Sequence, residues 1–146
     1  MMQLVVDASV AVKWIFPDNE GETNIEPAMA LLESVRAGKI KMLQPPHWLA
    51  EVAAVSVRLD SSVAQEAVGL LHAMEFPVAD SPEIYFRACE LAAQLDHHLF
   101  DTLYHAVALT NPDTFLITAD QRYFRKAERY GAIMVLAEFD ITDNNL

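Results

Sequence analysis

The chain has 146 residues, 53% of them hydrophobic, and a formal net charge of −11 from 21 acidic and 10 basic side chains. That size and apolar content exclude a disordered chain and suit one domain with a real core. The acidic balance opposes broad, non-specific nucleic-acid binding, so any such contact must be local. A single cysteine, Cys89, precludes an intrachain disulfide, and a reducing, cytoplasmic setting is the expectation. No stretch reads as a secretory signal, and no apolar run approaches the ~18 residues that cross a bilayer.

The first apolar run, Met2 to Val6, predicts a strand that ends directly on Asp7. Val10 to Phe16 predicts a short helix stopped near Pro17, followed by a polar loop from Asp18 to Asn24. Ile25 to Ala37 carries Ala28, Leu31, Leu32 and Val35 at a helical period, and Gly38 closes it. Lys41 to Gln44 predicts a brief strand. Pro45 and Pro46 introduce a helix from about His47 to Leu59, and Ser61 and Ser62 are candidate caps of the next, which runs to about Met74. Phe76 to Ala79 predicts a third strand. Ser81-Pro82-Glu83 starts a helix through Leu95, and another spans about Asp101 to Leu109. After the Asn111-Pro112-Asp113 turn come a fourth strand, Phe115 to Thr118, a helix from Gln121 to Tyr130, and a fifth strand, Ile133 to Leu136. The polar tail from about residue 139 is expected to fray.

Strands alternating with helices predict one α/β domain: a three-layer α/β/α sandwich with a mostly parallel five-stranded sheet. Ligands of such sheets bind beyond the carboxyl ends of the strands, where the strand order reverses. Asp7 and Asp120 sit at such ends, in LVVDASV and FLITAD.

Taken singly, Asp7, Asp101 and Asp120 read as helix caps, and Ser9 and Thr118 as local backbone binders. Glu51 lies inside its helix, where capping cannot explain it, and its stripe faces either solvent or a cleft. Carboxylates gathered at one sheet end would repel, and one would take up a proton unless a cation intervened. A hard divalent ion with oxygen ligands suits them, whereas no Cys/His set has zinc spacing. His97, His98 and His105 surround Asp101, but a helix break expected at Leu99 and Phe100 argues against a transition-metal site there. Core or surface roles are the simpler reading for these histidines, as packing is for Tyr104 and Trp48.

Four motifs, VVDASV, PHWLAEVA, FDTLYHAVA and LITADQRYFRKA, resemble in type, order and spacing those of PIN-domain ribonucleases, specifically the VapC-like toxins of type II toxin–antitoxin pairs. The resemblance implies an endoribonuclease dependent on Mg2+ or Mn2+ that cleaves RNA to leave a 5′-phosphate. It implies that Asp7, Glu51, Asp101 and Asp120 are catalytic and metal-binding, with Ser9 and Thr118 as supporting hydroxyls. It also implies adjacent first and fourth strands, an antitoxin partner and a homodimer. Lys13, Arg122 and Arg125 are candidate contacts to RNA phosphates, and Lys126 and Arg129 crowd the same helix. The alternatives are a catalytically silent PIN-like protein-binding module or, less in keeping with the residues, a receiver or an aspartyl-phosphate phosphatase. The phosphatase needs an acid where Ser9 stands, and the receiver needs an acidic pair that Asp7 lacks.

Overall fold

The computed structural model describes residues 2–18 and 23–140. Four parallel strands, β1 (Gln3–Val6), β2 (Lys41–Met42), β3 (Thr114–Thr118) and β4 (Ile133–Val135), form one sheet in the order β2-β1-β3-β4. The helices among the described residues are α1 (Ala8–Ile15), α2 (Ile25–Arg36), α3 (Trp48–Asp60), α4 (Ala64–His72), α5 (Pro82–Leu95), α6 (Leu99–Thr110) and α7 (Gln121–Ala127).

Successive residues of a strand point to opposite faces, and Leu4, Val5 and Val6 of β1 are all fully buried. Both faces of the sheet are therefore covered, as expected for parallel strands joined by helical crossovers. α6 packs on β1 and β3 with α5 against it, and α1 packs on the same strands and carries α2 and α3. Leu31, Val52, Ile84, Leu91, Val107, Leu116 and Ile117 fill the core between these layers.

The sheet has four strands rather than the expected five. Phe76 to Ala79 contributes only one bridge, Gln44 with Val78, flanked by bonds of 2.9 Å from Gln44 N–H to Pro77 O and from Ala79 N–H to Gln44 O. Pro77 has no N–H to extend a ladder. β2 is also shorter than expected, and the Gln44 side chain takes over where it stops. Gln44 Oε1 accepts the Val6 N–H and its Nε2 donates to Val6 O, each at 2.9 Å. This fully buried amide thus acts as a strand partner for the last residue before Asp7.

The helix break expected at Leu99 and Phe100 falls earlier, at residues 96–98, and Leu99 and Phe100 open α6. α5 ends at Leu95, and Asp96 takes a left-handed conformation, with φ at 48°. Ser62 bonds Asp60 rather than capping α4. Within the tail expected to fray, Phe139 is buried, while residues 141–146 lie outside the described residues, as do 19–22 of the predicted polar loop.

Candidate metal centre

β1 and β3 pair in parallel, with Val6 opposite Ile117. The chain leaves β1 for β2 on one side and returns as β3 on the other, so the carboxyl ends of β1 and β3 mark the switch point where such sheets bind ligands. The next residue is Asp7 on one strand. On the other, Thr118 closes β3 two residues before Asp120. The adjacency that the resemblance implied is present.

Asp7 stands at the N-cap position of α1 yet makes no capping bond. Its two carboxylate oxygens instead accept from Ser9 Oγ and Thr118 Oγ1. These hydroxyls are held in turn, because Ala119 N–H donates to Ser9 Oγ at 3.1 Å and Asp120 N–H to Thr118 Oγ1 at 3.0 Å. Burial pushes the Asp7 carboxyl up to about 6, against the lowering effect of the two hydroxyl bonds, and the charges of Asp101 and Asp120 push it the same way. Asp120 does cap its helix, its Oδ1 accepting the Tyr123 N–H at 3.0 Å.

α6 begins at Leu99 with His98 as its cap, which places Asp101 in the first turn rather than at the start. Asp101 Oδ2 lies 2.9 Å from His97 Nε2. One ligand atom from each of His97, Asp101 and Asp120 lies within 4.8 Å of the others. His97, read in the sequence as a core or surface residue, is partly buried and meets the acids from the loop between α5 and α6. For His105 the expectation holds. It is fully buried, bonding Tyr123 OH at 2.9 Å and Gly131 O at 2.8 Å, and burial lowers its pKa.

Glu51 lies in the first turn of α3. Its Oε1 accepts from Tyr104 OH at 2.7 Å and lies 3.4 Å from His47 Nε2. Burial would raise the Glu51 carboxyl, but the bonds from His47 and Tyr104 outweigh it and the net shift is downward. Tyr104 is buried as expected, and its hydroxyl also reaches the site. Burial raises that phenol, and the negative charges of Glu51, Asp7 and Asp101 raise it further. The charges of three of the four acids thus act on one buried hydroxyl.

Arg122 and Arg125 are exposed on α7, with Arg125 Nε donating to Gln121 O at 3.3 Å. Arg129 stacks on Tyr130 with its guanidinium 5.0 Å from the ring centre. Lys13, expected to be open to a phosphate, is only 5% exposed within α1. Lys126 is committed too: its Nζ donates to Leu95 O at 3.3 Å, Asp96 O at 3.4 Å and His97 Nδ1 at 3.2 Å. His97, Lys126, His47 and Gln44 are the contributors that sequence reasoning missed. The cluster of histidines around Asp101 was the one signal available for His97.

The donor set fits a hard divalent cation. Asp101 and Asp120 bring carboxylate oxygens within 4.8 Å of one another, and Asp7 closes the neighbouring strand end, its carboxyl lifted above its ordinary 3.8 by burial first and by the charges of Asp101 and Asp120 in addition. Among the described residues no helix is long and apolar enough to cross a membrane.

No curated protein sequence matches the chain. Among solved structures, the fold is similar to a chain of VapBC2 from Rickettsia felis bound to a DNA fragment from its promoter, with a TM-score of 0.65 and 16% identity over 92% of this chain and 97% of that one. It is also similar to a chain of the DNA-bound VapBC from Salmonella typhimurium, with a TM-score of 0.57 and 15% identity over 92% and 97%. At such identities the likeness bears on the fold. The sequence pattern of the PIN domain matches residues 4–130, a span that contains Asp7, Glu51, Asp101 and Asp120, and the chain belongs to the PIN domain family.

Proposed function

We propose that this protein is a Mg2+- or Mn2+-dependent endoribonuclease, the toxin of a toxin–antitoxin pair acting in the cytoplasm. The observation that carries the reading is the acidic cluster at the β1–β3 switch point: Asp101 and Asp120 share a cluster within 4.8 Å, Thr118 ties Asp7 to Asp120, and the Asp7 carboxyl is raised by burial and further by the charges of Asp101 and Asp120. A bound divalent ion would supply acidified water and neutralise phosphate charge. Asp7, Asp101 and Asp120 would hold that ion through oxygen atoms. Ser9 and Thr118 fix both oxygens of Asp7, so its orientation does not depend on the ion. Glu51, its carboxyl held low by the bonds from His47 and Tyr104, would orient the attacking water and accept its proton. Arg122 and Arg125 extend from the helix that Asp120 caps and offer guanidinium groups to RNA phosphates.

The antitoxin partner rests on the VapBC complexes that share this fold. One observation suits the second reading, a silent protein-binding module: a groove of about 730 Å³ lined by Trp14, Ile15, Met29, Leu59, Leu70 and Met74. An antitoxin would need such a groove as well, so only metal binding and cleavage separate the two. A homodimer is the family expectation, and Leu70 and Phe86, each 66% exposed, offer apolar surface for one.

The test is cleavage of RNA by the purified chain with Mn2+. Asp7→Asn and Asp120→Asn are expected to abolish cleavage and weaken Mn2+ binding while the circular dichroism stays native, and EDTA should stop the wild type. Cleavage that survives both substitutions and EDTA would refute the nuclease reading.

A further inference from the structure

His97 lies just past the left-handed Asp96, its side chain 11% exposed and its ring edge-on to Tyr123 with centres 4.9 Å apart. Both ring nitrogens are engaged. Nε2 is 2.9 Å from Asp101 Oδ2 and Nδ1 is 3.2 Å from Lys126 Nζ. A carboxylate only accepts hydrogen bonds and an ammonium only donates them. Both contacts therefore require the same tautomer, with Nδ1 bare and the hydrogen on Nε2. The ammonium is fixed from a second direction by the Leu95 and Asp96 carbonyls at the C-terminal end of α5.

We propose that Lys126 sets the metal preference of the site: by holding His97 as an Nε2–H donor to Asp101, it keeps the imidazole out of the ligand set and leaves an all-oxygen centre. The proposal rests on the metal-centre reading above. His97, Asp101 and Asp120 are close enough to share one ion, so only the hydrogen on Nε2 separates an oxygen site from a mixed nitrogen–oxygen site. Carboxylate oxygens suit Mg2+ and Mn2+, whereas an added imidazole favours Co2+, Ni2+ or Zn2+. With Lys126 removed, the hydrogen can move to Nδ1 and Nε2 can present a lone pair to the ion. His97 is thus a positioning residue in the wild type and a latent ligand.

The experiment compares the full chain with Lys126→Met and Lys126→Arg. Co2+ binding is followed by visible absorption and Mn2+ binding by electron paramagnetic resonance. Lys126→Met is expected to bind Co2+ about tenfold or more tightly than the wild type, with Mn2+ affinity little changed. The gain should vanish in the Lys126→Met/His97→Gln double variant. Lys126→Arg, which keeps a donor, should behave as the wild type. Proton–nitrogen correlation NMR of the metal-free wild type should show the Nε2–H tautomer at His97. An Nδ1–H tautomer there, or wild-type Co2+ affinity in a folded Lys126→Met protein, would overturn the proposal. The NMR readout needs neither metal nor RNA. A wild type that binds neither ion would therefore sink the metal-centre reading without touching the tautomer result.

Discussion

Thr118 Oγ1 donates to Asp7 across the β1–β3 pair and accepts the Asp120 N–H at 3.0 Å. One fully buried hydroxyl therefore ties together the two aspartates that close the strands. Thr118→Val keeps the shape but removes a charge-assisted bond of about 1.5–3 kcal/mol. The folded protein should lose stability of that order. Asp7, deprived of a bond that lowers its pKa, should titrate above its present value of about 6. Mn2+ binding at neutral pH should weaken by about tenfold, equivalent to ~1.4 kcal/mol. Wild-type Mn2+ affinity in a folded Thr118→Val protein would show that the hydroxyl does not hold the ligand.

The pH dependence follows from the same carboxyl. Asp7 titrates at about 6 in the folded chain against an ordinary 3.8, so the folded state holds this proton more tightly. Its contribution to stability is fully present below 3.8 and is lost as pH rises through about 6. His105 acts in the opposite sense: burial lowers its pKa from 6.5, and its contribution is lost as pH falls below that value. The Asp7 component is isolated by comparing wild type with Asp7→Asn in EDTA between pH 4 and 8. The wild type should lose stability relative to the variant as pH rises through about 6. Mn2+ must displace the Asp7 proton below that point, so its affinity should fall by up to about tenfold per pH unit. Parallel stability curves for the two proteins would rule out a raised carboxyl at Asp7.

Tyr104 holds Glu51 through a 2.7 Å bond from a buried phenol. Tyr104→Phe preserves the ring and removes only the donor. Stability should fall by about 1 kcal/mol, with Mn2+ affinity unchanged. The Glu51 carboxyl should rise, because this bond is one of the two that outweigh its burial. The acidic limb of the cleavage rate against pH should therefore move upward. A pH profile identical to that of the wild type would remove Glu51 from the role of proton acceptor.

Much of this was legible in the sequence because it is local. The runs before Asp7 and Thr118 are apolar on both faces, which marks buried parallel strands, and the Pro and Gly punctuation located most of the helices. The side-chain contacts were not legible. Lys126 meets His97 across 29 residues and Gln44 meets Val6 across 38, and neither pair leaves a local pattern. Phe76 to Ala79 looked like a strand by composition, yet Pro77 limits it to one bridge. Capping was the sound expectation for each aspartate taken alone. It holds for Asp120 and fails for Asp7, because two hydroxyls, one of them 111 residues away, occupy the Asp7 oxygens first.

Gln44 gives a test of how the fold positions the site. Its side chain satisfies both backbone groups of Val6, the residue directly before Asp7, where β2 has already ended. Gln44→Met fills nearly the same volume but leaves a buried N–H and a buried C=O without partners. Each such group costs about 1–3 kcal/mol, so urea unfolding should reveal a loss of roughly 2–6 kcal/mol with an unchanged dependence on urea. The loss should not stop at stability. Freed from its ladder, the end of β1 can shift, and Asp7 would then meet Asp101 and Asp120 less well. Mn2+ affinity should therefore fall even under conditions where the variant is fully folded. If Gln44→Met unfolds more readily yet binds Mn2+ as the wild type does, the amide supports the sheet but does not position Asp7.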